Sequence, residues 1–254
     1  MTFPSAFRAL TLASCLLFAG SSAFGQNNAP ATPAPDPEPA TAAAPKKPAV
    51  TKIGETEYRL GEIVFDAKSR EIRLPAVMNL REGGPTEYLL VHESGKVHEG
   101  ILTTKVKPLD LQIVMKLLRY RSGEGTLFDT FLPAEEQRRK IEGGNKSERG
   151  DAVAIRVRWE KDGQTHEHPA ADWVLDAESG KPMADEPWIL TGSHLSNGTF
   201  LADIEGSIIA IYLDQIALLN MERKGAENDE RWGANAAKTP EVGQKVTVLL
   251  QPTK

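Results

Sequence analysis

Cysteine is almost missing from this chain, because its 254 residues include only one, Cys15. One cysteine cannot form a disulfide within the chain, so a disulfide-stapled scaffold is excluded. After the N-terminal region, no segment reaches the roughly 18 consecutive apolar residues of a membrane-spanning helix. An excess of positive charge is missing too, since the formal net charge is −5 at pH 7. Electrostatic attraction to nucleic acid is therefore not expected.

The first 25 residues have the pattern of a signal peptide. Arg8 precedes a mostly apolar run over residues 9–19, and small residues follow it. About 11 residues is the length of a signal-peptide core and is too short to span a bilayer. Cleavage fits after Ala23 or after Gly25, and we favour Gly25. Residues 1–25 are therefore predicted to direct export, which places the mature protein in the periplasm or outside the cell.

An alternative is a lipoprotein anchored through Cys15, because Leu12-Ala13-Ser14-Cys15 resembles a lipidation box. The spacing argues against it: only six residues separate Arg8 from Cys15, and the apolar run continues beyond the cysteine. If cleavage removes Cys15, the mature protein has no thiol. Thiol catalysis, a thiolate zinc site and an iron–sulfur cluster are then excluded.

Residues 26–52 are rich in proline and alanine, and few of them are large and apolar. Repeated proline removes backbone donors and favours extended polyproline conformation. We therefore predict a disordered linker over residues 26–52, followed by one β-rich globular domain over residues 53–254.

Short apolar runs dominate the predicted domain. The clearest is residues 152–161, where Val153, Ile155, Val157 and Trp159 alternate with polar residues and predict a strand with one buried face. Asp162-Gly163 then predicts a hairpin turn. About ten such strands are predicted, with no regular alternation of strand and helix.

One main helix is predicted to begin near Pro108. Leu111, Val114, Met115 and Leu118 follow the spacing i, i+3, i+4, i+7 and form one apolar face. The predicted fold class is therefore α+β, with mainly antiparallel β-sheet and one main amphipathic helix.

Several segments, taken in order, resemble the YdjY-type domain, a family of exported bacterial domains. The segments are Lys96-Val97-His98-Glu99-Gly100-Ile101-Leu102, Lys107-Pro108, Gly150-Asp151, Gly180-Lys181-Pro182 and Trp188-Ile189-Leu190-Thr191-Gly192-Ser193. The resemblance covers roughly residues 61–252. It implies an exported domain, and it assigns no catalytic, cofactor or metal residue.

Two histidine-containing clusters are candidates for chemistry. His98-Glu99 could shuttle a proton or bind a metal ion, although adjacent residues on a strand point to opposite faces. The competing interpretation is structural, with Glu99 accepting backbone amides at a corner. His166 and His168 share one face of a strand and could ligate one cation, but zinc normally needs a third protein ligand. No metal site, cofactor or catalytic residue is therefore predicted.

Two further features carry less weight. Ser193-His194 does not fit the nucleophile elbow of serine hydrolases, so Gly192 is better explained by a tight turn. Trp232 lies in a polar stretch with no core pattern and is the tryptophan predicted to be exposed for a partner.

The sequence therefore predicts a non-enzymatic binding or interaction module of the cell envelope, with an envelope protein or an extracellular ligand as its partner. The alternative is a hydrolase or metal-dependent enzyme that uses His98, Glu99, His166 and His168. An enzyme requires such groups to converge in one cavity, whereas an interaction module requires an exposed apolar or aromatic patch.

Overall fold

A computed structural model describes residues 49–143 and 148–253. The predicted signal peptide, Cys15 and the linker up to residue 48 lie outside the described residues. Residues 51 and 52, which were predicted to belong to the linker, form the first strand of the sheet.

The described residues form short strands joined by turns and three short α-helices. The strands are β1 (Thr51–Lys52), β2 (Glu57–Leu60), β3 (Ile63–Asp66), β4 (Ile72–Met78), β5 (Tyr88–His92), β6 (Gly100–Thr104), β7 (Ala152–Lys161), β8 (Gln164–Pro169), β9 (Val174–Asp176), β10 (Lys181–Pro182), β11 (Trp188–Leu190), β12 (Leu195–Ser196), β13 (Thr199–Phe200), β14 (Ser207–Ala210), β15 (Leu219–Met221), β16 (Trp232–Ala234) and β17 (Lys245–Pro252). The helices are α1 (Pro108–Leu117), α2 (Ala134–Glu142) and α3 (Leu201–Glu205).

Eight strands close into a mixed β-barrel in the order β4–β17–β7–β11–β15–β14–β5–β6, with β6 pairing back onto β4. The pairs β14–β15 and β5–β6 are parallel, and the other pairs around the barrel are antiparallel. β1, β2 and β3 extend the sheet from β4, and β8 pairs with β7. Separate small sheets are formed by β10–β9–β16 and by β12–β13.

The barrel closes where β4 changes partner at Pro75. Before Pro75, β4 pairs with β3 through Ile72 and Arg73, and after it β4 pairs with β6 through Val77 and Met78. Proline has no N–H to donate, so it suits a position where the strand edge passes from one neighbour to the next. The opposite edge of β4 stays paired with β17 throughout.

The predicted fold class is wrong. The described residues are mainly β, with a closed mixed barrel and three short helices, rather than an α+β fold of mainly antiparallel sheet with one main amphipathic helix. Alternation of apolar residues reports that a segment is a strand with a buried face, but partner choice and barrel closure depend on contacts distant in sequence. The two strands of a parallel pair are not joined by a hairpin turn, so the parallel pairs left no turn signal in the sequence.

Local predictions within the barrel are confirmed. On β7, Val153, Ile155, Val157 and Trp159 alternate as buried residues with more exposed neighbours. The β7–β8 hairpin turns at Asp162 and Gly163, both with positive φ, as a two-residue type I′ turn requires.

Helix α1 begins at Pro108 and buries Leu111, Val114 and Met115 as predicted. Proline suits the first turn, where its missing N–H would have no intrahelical acceptor. None of the helices in the described residues is long and apolar enough to cross a membrane.

Candidate interaction surface

His98 and Glu99 lie in a short 3₁₀ turn, Val97–Glu99, just before β6. The imidazole Nε2 of His98 is 3.2 Å from Oε1 of Glu99, and the His98 side chain is 75% exposed. In the described part of the chain, no backbone amide donates a hydrogen bond to the Glu99 carboxylate. The corner is held instead by Asn79, whose side-chain amide donates to the carbonyls of Val97 and Gly100 at 2.6 and 2.8 Å.

His166 and His168 occupy one face of β8, and both rings pack on Trp159 of β7. Their ring centroids lie 5.2 and 5.0 Å from that of the indole. Glu167 faces the other way and forms ion pairs with Arg156 and Arg158. The His166–His168 pair therefore belongs to an aromatic cluster on the sheet.

The two histidine clusters do not meet. His98 and Glu99 precede β6, whereas His166 and His168 lie on β8, and β4, β17 and β7 separate β6 from β8 in the sheet. Across residues 49–143 and 148–253, no group of three or more His, Cys, Asp or Glu side chains is arranged to hold a metal ion.

Ser193 and His194 do not form a nucleophile–base pair. Gly192 and Ser193 both have positive φ, at 91° and 57°, which indicates a tight turn. The His194 imidazole Nε2 is paired with the Glu124 carboxylate at 3.0 Å.

Trp232 is buried rather than exposed. Its side chain is 5% exposed, and its indole N–H donates to the Gly225 carbonyl at 2.9 Å. The guanidinium of Arg231 covers the ring at 4.9 Å from the centroid. The predicted partner-binding role required an exposed indole, and the indole is not exposed. The polar flanking residues gave no hint that the indole is enclosed.

A polar network lies in a cavity of about 430 Å³ beside the start of β5. The Tyr88 hydroxyl donates to the Asp214 carboxylate at 2.9 Å and accepts a hydrogen bond from Nζ of Lys96 at 2.9 Å. Phe131 and Tyr212 line the same cavity, with ring centroids 6.1 Å apart in an edge-on arrangement.

The pKa shifts in this network favour fixed protonation states. Burial, followed by the Asp214 charge, raises the pKa of Tyr88. Burial lowers the pKa of Lys96, but the hydrogen bond to Tyr88 and the charges of Asp214 and Glu205 outweigh it, so the net shift is upward. Both shifts move away from neutrality, whereas a general acid or base functions best with a pKa near the working pH. The network therefore suits binding better than proton transfer.

The outer face of α1 is apolar, and no residue in the described ranges covers it. Leu109, Ile113 and Leu117 follow one another at four-residue spacing and are 39, 40 and 54% exposed. Asp203 of α3 accepts a hydrogen bond from the Leu109 amide at 2.8 Å, and the adjoining Ile204 is 66% exposed. We call Leu109, Ile113, Leu117 and Ile204 the α1 face. A helix with apolar residues on both sides normally has both sides covered.

The α1 face ends at a cavity of about 480 Å³ that is lined by cations. Lys68, Arg70 and Arg119 line it together with Leu117, and none of the carboxylates that the structure describes does. Within the described residues, Lys68 and Arg119 form no ion pair, and Arg70 has only a 3.6 Å contact with Asp151. This cationic cavity stands out on a chain whose net charge is −5.

Two hydrogen bonds fix the cationic cavity against the barrel. Nε of Arg70 donates to the Leu118 carbonyl at 2.9 Å, and the Tyr120 hydroxyl donates to the Arg70 carbonyl at 2.9 Å. The Arg70 guanidinium also lies over the Tyr120 ring, 4.3 Å from its centroid. The β3–β4 turn and the end of α1 are thereby held together, so the cavity is preformed.

The α1 face was not predicted, although its signal is present in the sequence. Leu109, Ile113 and Leu117 form a second stripe at i, i+4, i+8 beside the buried one. Only the fold shows which of the two stripes packs on the barrel. The cationic cavity had no sequence signal, because Lys68 and Arg119 lie 51 positions apart in the sequence.

The family model described as the YdjY domain matches residues 63–251, which is more than half of the chain. The chain therefore belongs to the YdjY domain family, as the resemblance of its segments indicated. No curated protein and no solved structure matches it.

Proposed function

We propose that this member of the YdjY domain family is an exported, non-enzymatic binding module of the cell envelope, and that the α1 face and the adjoining cationic cavity are its protein-binding surface. The single observation that supports this function best is the exposed stripe Leu109–Ile113–Leu117, which runs into the cavity of Lys68, Arg70 and Arg119. The signal-peptide pattern of residues 1–25 supports export.

The apolar stripe and the neighbouring cations together indicate which kind of partner the α1 face and the cationic cavity bind. Burial of an apolar stripe drives association, and unpaired cations at its end favour carboxylates that approach from the partner. We therefore assign the surface to a protein segment whose apolar side chains are followed by acidic residues.

The arrangement of the candidate catalytic groups supports a binding function over an enzymatic one. None of the five cavities described for this structure is lined by His98, Glu99, His166 or His168. A hydrolase or metal enzyme built on these residues would need them within reach of one substrate.

Site-specific photocrosslinking in the native host tests the surface. A benzophenone side chain at Ile113 of the full chain should give a discrete adduct with another protein. The crosslinked segment of that protein should contain apolar residues followed by Asp or Glu. The double variant Lys68→Gln/Arg119→Gln should weaken the adduct, because it removes two unpaired cations and leaves the apolar stripe intact.

The matched control is the same side chain at Val242, which is apolar and 62% exposed but lies outside the α1 face. Identical adducts at both positions, or none at Ile113, would overturn the proposed surface. An adduct of two copies of this chain would assign the α1 face to self-association instead. An adduct insensitive to the Lys68 and Arg119 changes would refute the acidic-partner assignment.

Export is tested separately by the intact mass of the protein recovered from the host envelope. We expect a chain that begins after Gly25 or, as the alternative, after Ala23. Retention of Met1 would contradict export by cleavage, and a diacylglycerol on Cys15 would establish the lipoprotein alternative.

A further inference from the structure

The cavity beside the start of β5 is lined by a carboxylate that has no cationic partner. Glu87 lines this cavity, and its side chain forms no hydrogen bond or ion pair with any residue in the described ranges. The residue is partly exposed, and its carboxylate oxygens are accessible to solvent. A ligand that enters the cavity can therefore contact the Glu87 carboxylate directly.

Asp214 lines the same cavity with a second carboxylate, which is held in a fixed orientation. One of its oxygens accepts the Tyr88 hydroxyl at 2.9 Å, and the other accepts the backbone N–H of Ile216 at 2.8 Å. Neither donor is charged, and within the described residues Asp214 forms no ion pair. A carboxylate has about four lone-pair sites, so Asp214 can accept further hydrogen bonds from a ligand.

Among the described residues, Lys96 is the one cation that lines this cavity, and its charge already has partners. Its Nζ donates to the Tyr88 hydroxyl at 2.9 Å and lies 3.4 Å from Oε2 of Glu205, which does not line the cavity. Burial is the largest cause that raises the pKa of Glu87, the charge of Glu99 is the next, and Lys96 opposes them. Negative charge therefore exceeds positive charge around the cavity, which favours a cationic ligand.

The walls of the cavity include two aromatic rings. Phe131 ends the 3₁₀ turn Leu127–Phe131 and is 47% exposed, and Tyr212 is partly exposed. Their ring centroids are 6.1 Å apart, with the planes inclined by 63°. Aromatic faces attract cations and also bury apolar groups. A ligand with a positive charge and an apolar body would therefore match both the carboxylates and the rings.

We propose that this cavity, the Tyr88 cavity, binds an organic amine in its ammonium form. The ammonium group donates to the carboxylates of Glu87 and Asp214, and the apolar body packs against Phe131 and Tyr212. Charge-assisted hydrogen bonds are stronger than neutral ones, and the aromatic rings add a cation–π contribution. The Tyr88 cavity is independent of the α1 face, so failure of this proposal would leave the proposed protein-binding surface unaffected.

Titration of the purified protein with benzylammonium tests the proposed ligand class. Isothermal titration calorimetry should give saturable binding at one site per chain, and the NMR signals of the Phe131 ring should shift along the same curve. Benzyl alcohol, which has a similar shape without the charge, should bind at least about tenfold more weakly. Equal binding of the two compounds, or no saturable binding of benzylammonium, would overturn the proposal. Tighter binding of benzoate than of benzylammonium, or binding of Ca²⁺ without benzylammonium, would overturn the organic-amine assignment.

Replacement of the Glu87 carboxylate tests the anchor of the ligand. Glu87→Gln should weaken benzylammonium binding about tenfold or more. Its melting temperature should stay close to that of the parent, because the side chain has no hydrogen bond to lose. The matched control is Glu55→Gln, which removes one exposed negative charge that lines none of the five described cavities and should leave binding unchanged. Equal weakening in both variants would reduce the effect to overall charge and contradict the proposed site.

Replacement of the Phe131 ring gives a second test that does not depend on Glu87. Phe131→Leu keeps an apolar side chain but removes the aromatic face, so it should weaken benzylammonium binding about threefold or more. Because Phe131 is 47% exposed, the variant should remain folded, and its melting temperature checks this. Unchanged affinity in folded Phe131→Leu would show that the ring does not contact the ligand and would overturn the proposed binding mode.

Discussion

Trp159 and His166 stack across the β7–β8 pair, with ring centroids 5.2 Å apart and planes inclined by 19°. Trp173 meets the same indole edge-on at 5.4 Å. The histidines that suggested a metal site are therefore packing partners of a buried tryptophan. Aromatic contacts of this kind add to the stabilisation from the buried area alone.

Replacement of the indole should accordingly destabilise the barrel. Trp159 is 8% exposed, and we expect Trp159→Ala to lower the free energy of unfolding by roughly 3–5 kcal/mol, because the truncation leaves a cavity under β8. Equilibrium unfolding in urea measures this change. Trp159→Phe should lose clearly less, and a shift equivalent to less than about 1 kcal/mol for Trp159→Ala would show that the indole contributes little to the core.

The contrast between β7 and β14 shows how far sequence alone could go. β7 has one buried face, so strict alternation revealed both the strand and its buried residues. Every residue of β14 is buried, so no alternation marks the strand. Its neighbour β15 runs parallel to it, and no hairpin turn connects the two strands. The barrel therefore could not be predicted, because its closure depends on pairings between distant strands.

The candidate surface was predictable to a similar extent. The apolar residues of α1 are visible in the sequence, but their division into a buried and an exposed stripe depends on which side meets the barrel. The opposite error occurred at Trp232, where polar neighbours suggested exposure although the indole is buried. Polar neighbours indicate that a segment lies at the surface. They do not indicate whether one large side chain within that segment packs inward.

The β3–β4 turn should make stability depend on pH through Asp66. Its carboxylate accepts hydrogen bonds from the Thr56 hydroxyl and from the amides of Ser69 and Lys68. These hydrogen bonds lower the pKa of Asp66 to about 2, whereas the unfolded chain keeps the ordinary value near 3.8. Because the folded pKa is the lower one, the contribution is complete above about pH 4 and is lost as the pH falls toward 2.

Urea unfolding of the parent and of Asp66→Asn between pH 7 and pH 2 tests this dependence. At neutral pH the parent should have a higher free energy of unfolding than Asp66→Asn. This difference in free energy should narrow between about pH 4 and pH 2. Glu82→Gln, which removes one exposed negative charge, is the control for overall charge. A gap that stays constant down to pH 2 would show that the hydrogen bonds do not depend on ionisation of Asp66.

Gly95 and Gly206 approach each other closely and should not tolerate a side chain. A Cβ at residue 95 would lie 2.5 Å from the carbonyl oxygen of Glu205 and 2.8 Å from Cα of Gly206. We expect Gly95→Ala to lower the free energy of unfolding by about 1–3 kcal/mol, because backbone rather than a flexible side chain must move. Gly84→Ala is the matched control, since a Cβ there meets nothing within 4 Å, and it should change stability by less than about 1 kcal/mol. Equal thermal stability of the two variants would refute the close approach.

Asn79 should contribute more to the corner before β6 than either His98 or Glu99. Its amide donates to the carbonyls of Val97 and Gly100, and each hydrogen bond contributes about 0.5–1.5 kcal/mol, so we expect the loss of both in Asn79→Ala to cost about 1–3 kcal/mol. His98→Ala and Glu99→Gln remove only one imidazole–carboxylate contact whose histidine is 75% exposed, and each should change stability by less than about 1 kcal/mol. Thermal and urea unfolding of the three variants beside the parent measure the difference. If Glu99→Gln were as damaging as Asn79→Ala, the carboxylate would have a structural role that its contacts do not explain, and Asn79 would not be the residue that holds the corner.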